Sequence, residues 1–200
     1  MIQKFIKRAF DIVASFVALI ILSPILLVIA FIIKIDSTGT IFFKQLRLGL
    51  NGKEFKIIKF RTMITDAEKI GTGLKVSEEN DSRITKIGKI LRKTSLDELP
   101  QLINVFKGDM SLVGPRPPVT YHPYEGFVNY PEWAKKRFIV RPGITGLAQV
   151  KVRNSVSWNE RIKIDNYYID NFSLLLDLQI LLKTLLKILK PESIYLEDKQ

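Results

Sequence analysis

Residues 12–33 read Ile-Val-Ala-Ser-Phe-Val-Ala-Leu-Ile-Ile-Leu-Ser-Pro-Ile-Leu-Leu-Val-Ile-Ala-Phe-Ile-Ile, without a charged side chain. A helix rising about 1.5 Å per residue would extend roughly 33 Å over this run, enough to cross a hydrocarbon core of about 30 Å. A cleaved signal peptide would have a shorter apolar core and a small-residue cleavage site, whereas Lys34-Ile35-Asp36 follows here. The run therefore predicts a membrane segment.

The pair Ser23-Pro24 lies in the middle of this segment. Proline lacks a backbone donor and clashes with the carbonyl of Ile20, so we expect a bend, with the Ser23 hydroxyl bonding the freed carbonyl. The segment could be a kinked span or a re-entrant hairpin that returns to the same face. Basic residues flank it on both sides: Lys4, Lys7 and Arg8 before it, and Lys34, Lys44 and Arg47 after it. The positive-inside rule therefore gives no orientation, and the residues alone are compatible with both the kinked span and the re-entrant hairpin.

The composition limits the chemistry. The chain has 200 residues, a formal net charge of +11, no cysteine and a single histidine, His122. Disulfides, thiolate metal sites and cysteine nucleophiles are excluded, and a Ser-His-Asp triad or a multi-histidine metal site is disfavoured. The positive charge favours an anionic partner such as acidic lipid, nucleic acid or a phosphorylated metabolite.

The remaining periodicity predicts a mostly helical α/β fold. We expect two strands joined by a hairpin turn at Asn51-Gly52, followed by a series of helices and an irregular proline-rich stretch. The predicted strands are 41–45 and 55–61, and the predicted helices are 84–92, 96–106, 132–138, 158–169 and 174–190. The last helix is strongly amphipathic and 132–138 mixes aromatic with basic residues, so each is either core-packing or interfacial. The predicted domains are a membrane segment over 1–36, a catalytic domain over 37–190 and a tail over 191–200.

Two adjacent acids, Asp97 and Glu98, follow Ser95-Leu96 at the predicted start of a helix. One interpretation is a capping box, in which Ser95 caps the helix and Glu98 reaches back to the Ser95 amide. Since adjacent helical residues point about 100° apart, Asp97 would then be free to face a pocket. A carboxylate at that position suits a nucleophile or a Mg²⁺ ligand.

Phosphate chemistry also requires cations, and several lie in loops stiffened by proline or glycine. Arg116 stands between two prolines, which suits a preorganised bidentate contact with phosphate. The predicted substrate-binding residues are Lys59, Arg61, Arg92, Arg116, Arg153 and Asp165. Each cation taken singly is better explained as a solvated surface charge, but that explanation is weaker for the whole set, because several lie in rigid loops.

Seven motifs in the same order along the chain resemble those of the small monotopic phosphoglycosyl transferases, a family of bacterial sugar transferases. They are Lys7-Arg8-Ala9-Phe10-Asp11, Ser23-Pro24, Lys59-Phe60-Arg61-Thr62-Met63, Ser95-Leu96-Asp97-Glu98-Leu99-Pro100-Gln101, Lys107-Gly108-Asp109-Met110-Ser111, Gly114-Pro115-Arg116-Pro117 and Arg141-Pro142-Gly143-Ile144-Thr145-Gly146. The resemblance covers about residues 4–190 and is specific as a set.

The resemblance implies transfer of a sugar 1-phosphate from a UDP-sugar to undecaprenyl phosphate, with release of UMP and a requirement for Mg²⁺. It implies that Asp97 is a covalent nucleophile in a ping-pong cycle and that Glu98 is its partner in proton handling, positioning or metal support. It also implies that Lys59 and Arg116 belong to the site. It also favours the re-entrant hairpin, with the site at the cytosolic face of the bacterial inner membrane. We expect no nucleic acid partner, and a homodimer is possible.

Two other functions compete with this one. A non-catalytic basic module that binds acidic lipid or nucleic acid would bind in a salt-sensitive manner that ignores Asp97. A hydrolase using the same acids would pass the phosphosugar to water and would turn over without lipid.

Overall fold

The computed structural model describes residues 2–67, 70, 81–152 and 155–189. Seven α-helices and four short strands make up the regular structure of this part of the chain. They are α1 (Ile2–Asp36), β1 (Phe42–Leu48), β2 (Glu54–Phe60), α2 (Lys86–Thr94), α3 (Gln101–Lys107), β3 (Ser111–Val113), α4 (Glu132–Lys135), β4 (Gly143–Thr145), α5 (Leu147–Lys151), α6 (Trp158–Asp170) and α7 (Leu174–Leu189). The predicted tail 191–200 lies outside the described residues. The mostly helical fold with a small sheet component is confirmed.

Helix α1 is long and apolar enough to cross a membrane, and most of its large apolar side chains are exposed. Such a surface is costly in water and favourable in lipid, which indicates membrane association. Helical structure continues through Pro24, and the Ser23 hydroxyl donates to the Ile20 carbonyl at 2.8 Å, as the sequence predicts. The structure assigns one helical element here, so the re-entrant geometry stays a prediction.

The N-terminal half of α1 is attached to the rest of the chain by charged groups. The Asp11 carboxylate, 2% exposed, accepts hydrogen bonds from the Ser111 hydroxyl at 2.7 Å and the Leu112 amide at 3.1 Å. Arg8 donates to the Val105 carbonyl at the end of α3 at 2.8 Å. The membrane helix is therefore fixed to β3 and α3 before its apolar run begins.

The C-terminal half of α1 packs through apolar contacts. Ile29 and Ile33 form a buried cluster with Phe60 of β2 and Leu91 of α2. Both halves of the helix thus contact the globular part of the protein.

The predicted hairpin is confirmed. Strands β1 and β2 pair antiparallel from Phe42 opposite Phe60 to Leu48 opposite Glu54. The first strand is longer than predicted, and the second is shifted by one residue. Asn51 at φ 54° and Gly52 at φ 74° supply the left-handed backbone that a tight connection requires. This hairpin places Lys59 near the end of β2.

The single helix predicted over 96–106 is wrong as a continuous element. A 3₁₀ turn over Leu96–Glu98 precedes α3, which begins only at Gln101 after Pro100. In a continuous α-helix the Pro100 ring would clash with the Leu96 carbonyl, so the chain forms a tighter turn before the helix starts.

The predicted capping box at Ser95 and Glu98 is also wrong. Ser95 has φ 58° and ends α2, with its amide donating to the Arg92 carbonyl at 3.2 Å and its side chain making no cap bond. The left-handed conformation belongs to the end of the preceding helix, and it commits Ser95 there. A capping box does form at the start of α6, between Ser157 and Glu160.

The segment 132–138, expected to be one short helix, divides into α4 and a 3₁₀ turn over Lys136–Ile139. Within this segment Arg137 is buried, at 2% exposed, whereas Trp133 is 42% exposed. Helix α7 buries Asp177 and Ile180 against the core. Its other face exposes Leu175, Leu178, Leu182, Leu185, Leu186 and Ile188. One face of α7 is thus core-packing, and the interfacial role of the other stays a prediction.

Candidate active site

The two acids lie in the 3₁₀ turn between α2 and α3, beside the end of β2. Lys59 Nζ lies 2.5 Å from Glu98 Oε1, and Nη1 and Nη2 of Arg116 each lie 3.3 Å from the same oxygen. The structure therefore brings Lys59 and Arg116, which lie 39 and 18 positions from Glu98 in the sequence, into one cluster with the two adjacent acids.

Lys59 is placed by a buried amide. Asn104 of α3, 1% exposed, accepts from the Ile58 amide at 3.0 Å and donates to the Lys56 carbonyl at 2.9 Å. These bonds fix β2 against α3. Since α3 begins shortly after the two acids, Lys59 of β2 is held beside them. Asn104 was not among the predicted site residues, although a lone asparagine on an apolar helix face between Leu102 and Val105 is a signal of a buried polar link.

The pKa values of the two carboxylates are shifted in opposite directions. Burial raises the pKa of Asp97 to about 6, against the attraction of Lys59 and with added repulsion from Glu98. Burial also opposes ionisation of Glu98, but Lys59 and Arg116 outweigh it and lower its pKa. Glu98 is thus an ion-paired anion, and Asp97 is the more basic, hence more nucleophilic, carboxylate.

The Asp97 side chain is half-buried, and burial and neighbouring charges, without a hydrogen bond to a described residue, shift its pKa. Arg92, whose Nε donates to Thr62 Oγ1 at 2.9 Å, is close enough to lower the pKa of Asp97, as Arg116 does. An ionised carboxylate without a partner, next to three cationic side chains, is arranged to meet a substrate with charged phosphates.

Arg116 is carried by the loop 114–118, in which the Gly114 amide donates to the Thr145 carbonyl at 2.9 Å and four carbonyls accept hydrogen bonds. Prolines at 115, 117 and 118 have no amide to donate, so the loop cannot pair as a strand would. The Pro115 carbonyl accepts from the Gly143 amide at 3.0 Å and the Pro118 carbonyl from the Leu48 amide at 3.0 Å.

The two central carbonyls of this loop accept from arginines. Arg47 Nη1 donates to the Pro117 carbonyl at 3.1 Å, and Arg137 Nη2 donates to the Arg116 carbonyl at 2.7 Å. The sequence analysis missed both supporting roles, because each partner lies in a distant segment.

A small parallel pair, which the sequence analysis also missed, begins this loop. Ser111 of β3 pairs with Gly143 of β4, and Val113 pairs with Thr145. A Cβ on Gly114 would come within 2.4 Å of the Arg141 carbonyl, so only glycine permits this close approach. The strand pair thus fixes the position at which the loop that carries Arg116 begins.

Two predicted substrate-binding residues, Arg61 and Asp165, lie elsewhere. The Arg61 guanidinium points to the end of α1, where Nη2 donates to the Ser37 carbonyl at 2.7 Å, so the structure does not bring it to the cluster. Asp165, 3% exposed, lies behind the loop 114–118 and faces Arg137 rather than Asp97. Burial raises the pKa of Asp165 to about 6 against the pull of Arg137. Arg153 lies outside the described residues.

Within the described ranges, no group of three or more acidic or histidine side chains could enclose a metal ion. The oxygens of Asp97 make no competing hydrogen bond there, whereas the recorded bonds of Glu98 all converge on Oε1. Mg²⁺ commonly takes one or two protein carboxylates and completes its shell with water and substrate phosphate. The donor set fits that kind of site.

Comparison with known proteins gives a consistent result. A family model described as bacterial sugar transferase matches residues 2–191. The uncharacterized sugar transferase EpsL of Bacillus subtilis is 44% identical over 190 residues, which cover 94% of this chain and 90% of that protein. The UDP-glucose:undecaprenyl-phosphate glucose-1-phosphate transferase of Caulobacter vibrioides is 42% identical over 194 residues, covering 94% and 72%.

A larger relative shows the same match over part of its length. The UDP-N-acetylgalactosamine-undecaprenyl-phosphate N-acetylgalactosaminephosphotransferase of Aeromonas hydrophila is 44% identical over 191 residues, which are 94% of this chain and 44% of that protein. Since the family model and these relatives match nearly all of this sequence, the chain belongs to the bacterial sugar transferase family.

Proposed function

We propose that this protein transfers a sugar 1-phosphate from a UDP-sugar to undecaprenyl phosphate. The observation that carries the proposal is the half-buried Asp97, unpaired among the described residues and next to Lys59, Arg92 and Arg116, in a protein with an exposed apolar helix. The names of the relatives from Caulobacter and Aeromonas, a glucose-1-phosphate transferase and an N-acetylgalactosaminephosphotransferase acting on undecaprenyl phosphate, support the donor and acceptor classes.

In the first step, an Asp97 oxygen attacks the β-phosphorus of the UDP-sugar. A bond forms between that oxygen and phosphorus, the bond from phosphorus to the bridging oxygen breaks, and UMP leaves with the bridging oxygen. Lys59, Arg92 and Arg116 offset the charge that builds on the phosphate oxygens. The enzyme then carries the phosphosugar as an acyl phosphate on Asp97.

In the second step, a phosphate oxygen of undecaprenyl phosphate attacks the same phosphorus. The bond between Asp97 and phosphorus breaks, and the carboxylate is restored as the diphosphate-linked lipid forms. Both attacking groups, the Asp97 carboxylate and the acceptor phosphate, are already ionised. Neither step therefore requires a general base to remove a proton. Glu98 then serves to hold Lys59 and Arg116 in place.

A divalent cation, which we propose to be Mg²⁺, fits beside Asp97 together with substrate phosphate oxygens. When bound, such a cation neutralises diphosphate charge and favours departure of UMP.

We further propose that α1 is re-entrant and that the site lies at the cytosolic face of the bacterial inner membrane. Both halves of α1 contact the globular part, through Asp11 on one side of Pro24 and Ile33 on the other. The exposed leucines of α7 and its lysines suit an anionic bilayer surface. A site at headgroup depth would reach the lipid phosphate without extracting the lipid.

The activity is tested by UMP release. Detergent-solubilised full chain is mixed with each of a panel of UDP-sugars, with and without undecaprenyl phosphate. We expect sustained UMP release from at least one donor, dependent on the acceptor. Sustained release without acceptor would instead indicate a hydrolase, and no release from any donor would favour a binding module.

A further inference from the structure

Arg137 takes no part in the chemistry above, yet its side chain is only 1% exposed. Its Nη2 donates to the Arg116 carbonyl at 2.7 Å and lies 2.9 Å from Asp165 Oδ2. That nitrogen thus contacts both the backbone of the loop and a carboxylate. Nε and Nη1 have no hydrogen-bond partner among the described residues.

Burying a guanidinium is costly, and the surroundings of Arg137 offset the cost. Asp165, whose side chain is 4% exposed, supplies the counter-charge. The guanidinium carbon lies 5.5 Å from the centre of the Trp158 ring and 5.7 Å from that of Phe138, so aromatic faces cover it. So costly an arrangement, aimed at one backbone oxygen, indicates a specific task for the pair.

That task concerns Arg116. Its guanidinium lies 3.3 Å from Glu98 Oε1, a longer contact than the 2.5 Å of Lys59, so this weak bond alone cannot set its position. The orientation of the side chain depends on its backbone, and the Arg116 carbonyl is held by Arg137. A displacement of about 1 Å at a transferring phosphate can cost on the order of 10²-fold in rate.

We propose that Arg137 and Asp165 form a positioning pair, which holds the backbone of Arg116 so that its guanidinium faces Glu98 and the donor diphosphate. The pair lies behind the loop and touches no reacting atom. This inference rests on the proposed function for its effect on rate, whereas the geometric link to Glu98 can be measured without substrates.

The first test is a double-mutant cycle on UMP release. Asp165→Asn keeps the shape of the side chain and removes its charge, and we expect kcat to fall about 10²-fold, with a smaller change in KM for the UDP-sugar. In an Arg116→Ala background the same substitution should cost less than about 2-fold, because its effect passes through Arg116. Equal losses in both backgrounds would overturn the proposal.

A matched control lies on the same two elements. Asp170 of α6 pairs with Lys136, the neighbour of Arg137, at the exposed surface. Asp170→Asn removes an ion pair between the same segments without touching the loop, so we expect unchanged kcat. A loss equal to that of Asp165→Asn would mean that general loosening of α6, rather than positioning, explains the effect.

The second test reads the site directly. The guanidinium ¹⁵N signals of Arg116 are followed at constant pH in labelled protein without substrates, in wild type, Asp165→Asn and Arg137→Lys. If the pair positions Arg116, both variants move these signals toward those of an arginine free in solution. Unchanged Arg116 signals in the folded variants would contradict the proposal, and this readout stays valid even if no UDP-sugar is turned over.

Discussion

Lys59 Nζ and Glu98 Oε1 lie 2.5 Å apart, although the two residues are separated by 39 positions in the chain. This ion pair joins the end of the β-hairpin to the turn that carries both acids. It uses Glu98 as a structural anion and leaves Asp97 to meet substrate. The division of roles between two adjacent carboxylates therefore comes from tertiary contacts and not from a helix cap.

Glu98→Gln should lower both stability and activity. The substitution leaves Lys59 largely enclosed without its counter-charge. We expect a loss of about 1–3 kcal/mol in the free energy of unfolding, below the 3–5 kcal/mol of a fully buried pair because both side chains keep some exposure. Denaturant unfolding in detergent measures it. Glu132→Gln, which breaks an exposed pair with Lys135, should cost less than about 0.5 kcal/mol. Equal losses would refute the anchoring role.

Activity should fall in acid as Asp97 takes up a proton. Its pKa is raised to about 6, so the carboxylate is ionised above that pH and protonated, hence unreactive, below it. We expect kcat/KM for the UDP-sugar to fall as pH drops through about 6, since this parameter reports groups of the free enzyme. A profile that stays flat from pH 7.5 to 5 would contradict the assignment of Asp97 as nucleophile.

Asn104→Ala should loosen the hairpin from α3. The change leaves the Ile58 amide and the Lys56 carbonyl without their partner, and we expect a loss of about 2–3 kcal/mol in the free energy of unfolding. Thermal unfolding in detergent would show it. Asn129, whose side chain bonds an exposed carbonyl, provides the comparison, and Asn129→Ala should change stability by less than about 0.5 kcal/mol.

The absence of cysteine makes the membrane geometry directly testable. Lys4→Cys and Thr38→Cys place single thiols at exposed positions beside the two ends of α1. In a re-entrant arrangement, a membrane-impermeant maleimide should label both variants in inside-out vesicles and neither in intact cells. Labelling of one position from each side would establish a span and refute the re-entrant geometry.

Local patterns in the sequence predict some elements well. Asn51-Gly52 between alternating strands predicts the hairpin, and Ile84 to Arg92 predicts α2 within two residues at each end. These features depend on neighbours in the chain, where turn chemistry and helical spacing decide the outcome.

The missed features depend on distant partners. Ser95 satisfies a capping motif, yet it ends the preceding helix, and Glu98 is drawn to Lys59 across the fold. Arg137 lies in a run of basic residues that is typical of a surface, and the carboxylate of Asp165, distant in the chain, supplies the counter-charge for its burial. The strands β3 and β4 are three residues long, too short to show a period.

The covalent role of Asp97 is the central claim, and intact-protein mass spectrometry tests it most directly. The full chain is incubated with an active UDP-sugar in the absence of undecaprenyl phosphate, then weighed and digested to locate any adduct. We predict one phosphosugar per chain on the peptide carrying Asp97, released on addition of undecaprenyl phosphate and absent in Asp97→Asn. Full turnover by Asp97→Asn, or an adduct on another residue, would contradict the account.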